Sequence, residues 1–259
     1  MDYTGLVTVG EGLWVGASEV PKGFKLYVPD STVGQVGFFG VMKEFDRSVL
    51  LALRLKVQNR QITEAEHVIV RTLNEPGLKN LDTPRPALLA DVPAASRTPR
   101  QEMLRIADSY YGSILQSSGK VTPYADDCVR HENGMVTSGN RNPQPGPAPG
   151  GIAAVSRIGA LTCAAAMDTR AFSYITGIDL RRVEIVDEQK GLVFGLTMFR
   201  HRGNVRTIKI LNVPGIESIP MNFGPIDLQA GHIFKIHGGK LHEIEAMGYL
   251  LPYKSDSGW

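Results

Sequence analysis

Cysteine is nearly missing: the chain has two, Cys128 and Cys163, in 259 residues. With no CxxC pair, a disulfide framework and a structural zinc site are not expected, and a reducing cytoplasm is the inferred location. The six histidines form no HxH or HExxH arrangement, and His232, His237 and His242 follow one another at intervals of five, which sets alternate members on opposite strand faces. No metal is therefore expected. The absence of GxGxxG and phosphate-loop motifs argues against a nucleotide, so no cofactor is expected. No apolar run approaches the ~20 residues of a spanning helix. The opening MDYTGLVTVGEGLW lacks the basic start and apolar centre of a signal peptide. Charge of one sign is also lacking. The net charge is +2 with lysine and arginine scattered, so a nucleic-acid footprint is excluded.

What is present is an ordinary globular composition, 42% hydrophobic and 21% charged, in a chain long enough to bury a substantial core. Val36–Val41, Val49–Val57 and Ile62–Val70 read as strands of an antiparallel meander. In the third, Glu64 and Glu66 share a face because strand side chains alternate. Residues 74–99 are a Pro-, Leu- and Ala-rich connector. A helix is predicted from Thr98 as cap and Pro99 in the first turn, with Met103, Ile106, Ala107, Tyr110, Tyr111 and Ile114 at helical spacing. A second helix is predicted over Ile158–Met167. Leu180–Val186, Gly191–Phe199, Thr207–Val213, His232–His237 and Lys240–Leu250 read as further strands. The Pro/Gly-rich stretch 140–151 is too long for a simple connection and is a candidate lid or oligomer contact.

Two segments align without a gap: Leu55–Glu66 over Phe234–Glu245, each a strand, a polar turn and a strand with a Glu-x-Glu pair. Either hairpins resemble each other by necessity, or a sheet unit is duplicated. Long hairpins with few helices define the α+β class.

The order of helix, YADDCVRHENG, second helix and meander resembles nuclear transport factor 2-like (SnoaL-like) proteins. Within them, Cys128-x-Arg130-x-Glu132-Asn133-Gly134, with Arg182, Val186-Asp187-Glu188-x-x-Gly191-Leu192-Val193 and Phe199, is similar to bacterial diarylpropane γ-formaldehyde lyases of lignin-dimer breakdown. The resemblance implies a curved antiparallel sheet wrapped around a few helices to form a cone with one pocket. It also implies a cofactor-free lyase that releases formaldehyde from a small aromatic substrate. On this reading residues 1–75 are a β-meander extension, 76–97 a connector and 98–259 the cone domain. A cytoplasmic homo-oligomer is expected, without membrane or nucleic-acid partners.

If Val129–Asn133 is extended, Arg130 and Glu132 share one face with Cys128, while His131 takes the other. Arg130 and Glu132 are then either a functional pair on the pocket wall or a structural ion pair. His131 is suited to acid–base work, or is a surface or interface histidine. Asp127, after Asp126, is a proton-transfer candidate or simply a turn aspartate. The resemblance assigns proton transfer to Asp127 or His131, and the orientation of a substrate hydroxyl to Arg130 with Glu132. Tyr110, Tyr111, Tyr124 and Tyr174 are candidates for phenol binding, though a buried tyrosine is commonly core. Arg182 and His201 could complete a polar cluster. A dehydratase or isomerase on another aromatic or polyketide substrate, and a non-catalytic binding module, are the alternatives.

Overall fold

A computed structural model describes residues 5–19, 23–140 and 157–258. Its architecture is α+β in three layers. The outer layer is a meander of β1 (Ala17–Glu19), β2 (Lys25–Asp30), β3 (Gln35–Glu44), β4 (Arg47–Gln58) and β5 (Gln61–Val70), preceded by one helical turn, α1 (Leu13–Gly16). β1 and β2 both pair with β3, which pairs with β4, and β4 with β5. Three short helical pieces fill the connector: α2 (Glu75–Asn80), α3 (Pro86–Leu89) and a 3-10 turn at Ala94–Ser96.

The long helix α4 (Arg100–Gln116) follows. Its cap position is Pro99, not Thr98: the Thr98 hydroxyl instead accepts from the Gly239 amide. The helix ends at Ser117 in the left-handed conformation, a common way to stop a helix. Then come β6 (Tyr124–Glu132), β7 (Met135–Ser138) and α5 (Cys163–Asp168). The strands β8 (Gly177–Asp187), β9 (Leu192–His201), β10 (Thr207–Lys209), β11 (Ser218–Pro220), β12 (Ile226–His237) and β13 (Lys240–Pro252) complete the chain.

The middle layer is a six-stranded sheet in the order β7-β6-β13-β12-β9-β8. All its pairs are antiparallel except β6 with β13, which run parallel. Both faces of this sheet are covered, which is why β9 (LVFGLTMFRH) is buried nearly throughout rather than alternately. Phe194, Leu196, Ile233 and Met247 pack against Phe39, Leu50 and Val68 of the meander. Gly37 permits this approach, since a Cβ there would sit 2.4 Å from the Phe194 ring. On the opposite face, Met103, Ile106, Tyr110, Tyr111 and Ile114 of α4 meet Val193, Ala230, Phe234 and Ile244.

Several expectations are corrected. Ile158–Met167 is not one helix: helical residues 157–159 stop at a turn, and Thr162 starts α5 by accepting from the Ala165 amide. The strand expected over Thr207–Val213 is only three residues long, and β7 and β11 were not foreseen. Cys128 and Cys163 form a disulfide that ties β6 to the first turn of α5, against the expectation of no disulfide. The stretch 140–151 lies outside the described residues beyond Asn140. Among the described residues, no helix is long and apolar enough to cross a membrane.

Candidate active site

Between the concave face of the six-stranded sheet, the end of α4 and the 172–175 turn lies a cavity of about 410 Å³, large enough for a small organic ligand. Its walls are mainly apolar, with Ile114, Phe172, Phe199, Leu228, Ala230 and Met247 among them. Strand alternation positions the polar exceptions. On β6, Arg130 and Glu132 point inward and His131 outward; on β12, His232 lies on the same face as Ala230 and Phe234; on β9, His201 follows Phe199 by two.

Arg130 is 5% exposed and fully engaged. Its Nε donates to the Tyr110 hydroxyl at 2.7 Å, Nη1 to Thr137 Oγ1 at 2.6 Å, and Nη2 to Glu132 Oε2 at 2.7 Å. The Phe172 ring lies 5.3 Å from the guanidinium. Burial works against the charge, yet Tyr110 and Glu132 outweigh it and raise the Arg130 pKa, so the cation persists. The Glu132 side chain remains 35% exposed, presenting a carboxylate anchored through one oxygen. Burial raises the Tyr110 pKa, so its hydroxyl keeps its proton.

His232 is 1% exposed, and its Nδ1 lies 3.2 Å from the Tyr111 hydroxyl. Burial first, and the Arg130 charge second, push its pKa down to about 3, so the imidazole is neutral at ordinary pH. Tyr174, lining the same cavity, is pushed up to about 12, chiefly by burial. His201 is buried against Tyr174 and Phe223, and its Nδ1 accepts from the Gly203 amide at 3.0 Å.

The structure thus brings Arg130, Glu132, Tyr174 and His201 to one cavity, with Tyr110 and Tyr111 buried behind it. Four candidates lie elsewhere. Asp127 is on the surface, with His242 Nδ1 at 2.7 Å, because it follows the exposed Asp126 at the outer end of β6. His131 faces away from the cavity, and its pKa is pushed down to about 3 by burial and then by Arg85. Arg182 binds Glu66 of the meander. Tyr124 packs at the margin of the α4 core, its hydroxyl buried there.

Sequence reasoning missed His232, Phe172 and Phe223. The first was detectable: in the predicted strand His232–His237, His232 shares a face with Phe234 and Ile236, so an inward histidine was implied. The two phenylalanines sit outside strands and helices, where no period marks direction. Among the described residues, no group of three or more His, Cys, Asp or Glu is placed to hold a metal ion.

A curved sheet covered by one long helix, with a buried arginine holding Glu132 and a neutral His232 at the wall, defines an α+β protein with a cavity of small-molecule size. The chain belongs to the family described as a domain of unknown function, DUF8021, whose model matches residues 96–248. That span takes in α4, the six-stranded sheet as far as Gly248 of β13, and every polar side chain named above as lining the cavity. No curated protein matches the chain. Among solved structures, AclR, a candidate hydroxylase from Streptomyces galilaeus, is 9% identical with a TM-score of 0.35, covering 60% of this chain and 83% of its own. A candidate polyketide cyclase from Xanthomonas campestris pv. campestris is 13% identical with a TM-score of 0.33, covering 57% and 90%. A candidate isomerase from Bacillus subtilis is 7% identical with a TM-score of 0.33, covering 57% and 87%. Similarity at this level carries no argument about chemistry.

Proposed function

We propose that the chain is a cofactor-independent enzyme that moves protons on a small, largely apolar substrate, with Glu132 as the general base. The observation that carries this reading is a carboxylate held by a buried guanidinium at the wall of a mainly apolar cavity. Arg130 anchors Glu132 without reorganisation during the reaction. Neutral His232 adds a polar group at the wall, and protonated Tyr110 behind it accepts from Arg130, both protonation states fixed by burial.

The narrower form of the proposal rests on the lyase resemblance, whose motif residues Arg130 and Glu132 are the pair at the cavity. Its substrate is a phenolic diarylpropane diol, an aromatic molecule suited to walls that include Phe172, Phe199 and Phe223. The benzylic hydroxyl and the phenolic proton leave together as water, giving a quinone methide. Glu132 then takes the proton of the terminal hydroxymethyl group. The adjacent C–C bond breaks, formaldehyde departs, and the electron pair moves to the ring oxygen, which receives the proton from Glu132. A stilbene phenol remains. Asp127 and His131, distant from the cavity, have no part in this scheme.

Purified protein mixed with a phenolic diarylpropane diol is expected to release formaldehyde, and Glu132→Gln to lose at least ~100-fold in rate, the scale of one general base. Water loss without formaldehyde would support a dehydratase and reject the lyase. Full activity in Glu132→Gln would reject the base assignment.

A further inference from the structure

His201 holds an unspent hydrogen-bond donor. Its Nδ1 accepts from the Gly203 amide, so that nitrogen carries no proton and the ring's hydrogen is on Nε2. His201 is 3% exposed, lines the cavity, and its Nε2 is buried without a partner among the described residues. Leaving a buried donor unpaired is costly, so such an atom in a cavity wall marks where a ligand acceptor belongs. Its surroundings narrow the acceptor. The Phe223 ring centroid is 4.6 Å and that of Tyr174 5.4 Å from the imidazole, so the donor sits in an aromatic corner. Both arginines of the cavity lining are already engaged, Arg130 by Glu132 and Arg200 by Asp179 and Asp227, which disfavours an anionic ligand end.

We propose that His201 is a specificity-determining residue, donating its Nε2 hydrogen to an uncharged acceptor oxygen, carbonyl or ether, on an aromatic ring of the ligand. The inference rests on the cavity being the ligand site. It assigns the ligand an acceptor oxygen in addition to the group that Glu132 deprotonates. The tautomer lock matters here: with the Gly203 amide spent on Nδ1, His201 offers a donor and no acceptor, so a ligand group that can only donate is rejected.

Benzophenone and diphenylmethane, which match in size and differ in the acceptor oxygen, test this. Their dissociation constants are measured by competition with Nile red for wild type, His201→Phe and His201→Gln. The benzophenone preference over diphenylmethane is expected to fall about tenfold in His201→Phe, the scale of one buried hydrogen bond, and to recover in part in His201→Gln, which keeps a donor. An unchanged ratio in His201→Phe, with both probes bound, overturns the His201 assignment alone. Failure of both probes to bind wild type overturns the cavity reading and this inference with it. If His201→Phe does not fold, His201→Leu gives the same comparison.

Discussion

Removing the Cys128–Cys163 bond tests the architecture of the cavity wall. The two cysteines are 2% and 0% exposed and 35 residues apart, so the bond closes a loop of that length. Treated as a constraint on the unfolded chain, such a loop contributes about 4 kcal/mol at 25 °C. For a protein of this size each kcal/mol shifts the melting temperature by about 2–4 °C, so a loss of roughly 10 °C is expected. The double variant Cys128→Ala/Cys163→Ala avoids stray thiols, and urea unfolding of variant and wild type measures the difference directly. The effect should reach the site, because Cys128 precedes Arg130 by two positions and α5 leads into the turn that carries Phe172 and Tyr174. Weaker ligand binding should therefore accompany the lost stability. Alkylation of two thiols in the folded, unreduced wild type would refute the pairing. A double variant within about 1 kcal/mol of wild type would refute the loop argument.

Other outcomes follow from buried charge. His131 and His232 are each held to about 3, while an unfolded histidine takes up its proton near 6.5. Below that value the unfolded chain binds more protons, so stability should fall as pH drops from ~6.5 toward ~3, by up to about 1.4 kcal/mol per pH unit for each histidine. Denaturant titrations at stepped pH check this, and a His232→Asn variant with an undiminished slope would contradict it. Arg130→Met removes the buried partner of a carboxylate that is itself 35% exposed, so the expected cost in urea unfolding is about 1–3 kcal/mol; a cost under about 1 kcal/mol would show the pair to be loosely solvated. Glu66 is 2% exposed and shared by Arg54 and Arg182, so Glu66→Leu takes a buried carboxylate from both; because Arg54 keeps Glu64, the expected loss in urea unfolding is about 1.5–3 kcal/mol.

Much of the arrangement was legible because period two is a strict rule. Placing Arg130 and Glu132 opposite His131 needed only the assumption that β6 is extended, and the same rule implied an inward His232. The meander, the long helix and the places of the major hairpins followed from hydrophobic runs and turn residues, whereas β12 begins at Ile226, well before the strand expected from His232. Tertiary pairing was not legible in this way. Two cysteines carry no information about separation in space, so the disulfide could not be read from spacing. The parallel pairing of β6 with β13 joins strands more than a hundred residues apart in the chain. Arg182 looked like a cavity residue because its strand belongs to the cavity sheet, at the edge. It faces the meander instead, and Glu66, across the layer, takes its charge. Asp127 looked reactive as one of two adjacent acids, but position along the strand decided its exposure.

The echo between the two hairpins explains how the sheet acquires two different faces. In β4–β5 the pairing shifts between Lys56↔Glu64 and Val57↔Ile62, leaving Thr63 extra; in β12–β13 it shifts between Lys235↔Glu243 and Ile236↔Leu241, leaving His242 extra. Both turns hold two residues at positive φ, Asn59 with Arg60 and Gly238 with Gly239, the backbone that matches strand twist in a two-residue hairpin. An extra residue reverses side-chain phase beyond it. In the second hairpin this lets Leu241 and Ile244 share the face packed on α4, while Glu243 and Glu245 turn to the back, where Arg85 binds both. In the first, Arg54 takes the same part toward Glu64 and Glu66. Each bulge thus sends a Glu-x-Glu pair to an arginine. In the cone sheet the result is that these two acids stay off the cavity face, leaving Glu132 as the carboxylate that Arg130 holds at its wall. A hairpin without the bulge at His242 would turn either Leu241 or the glutamates to the wrong side.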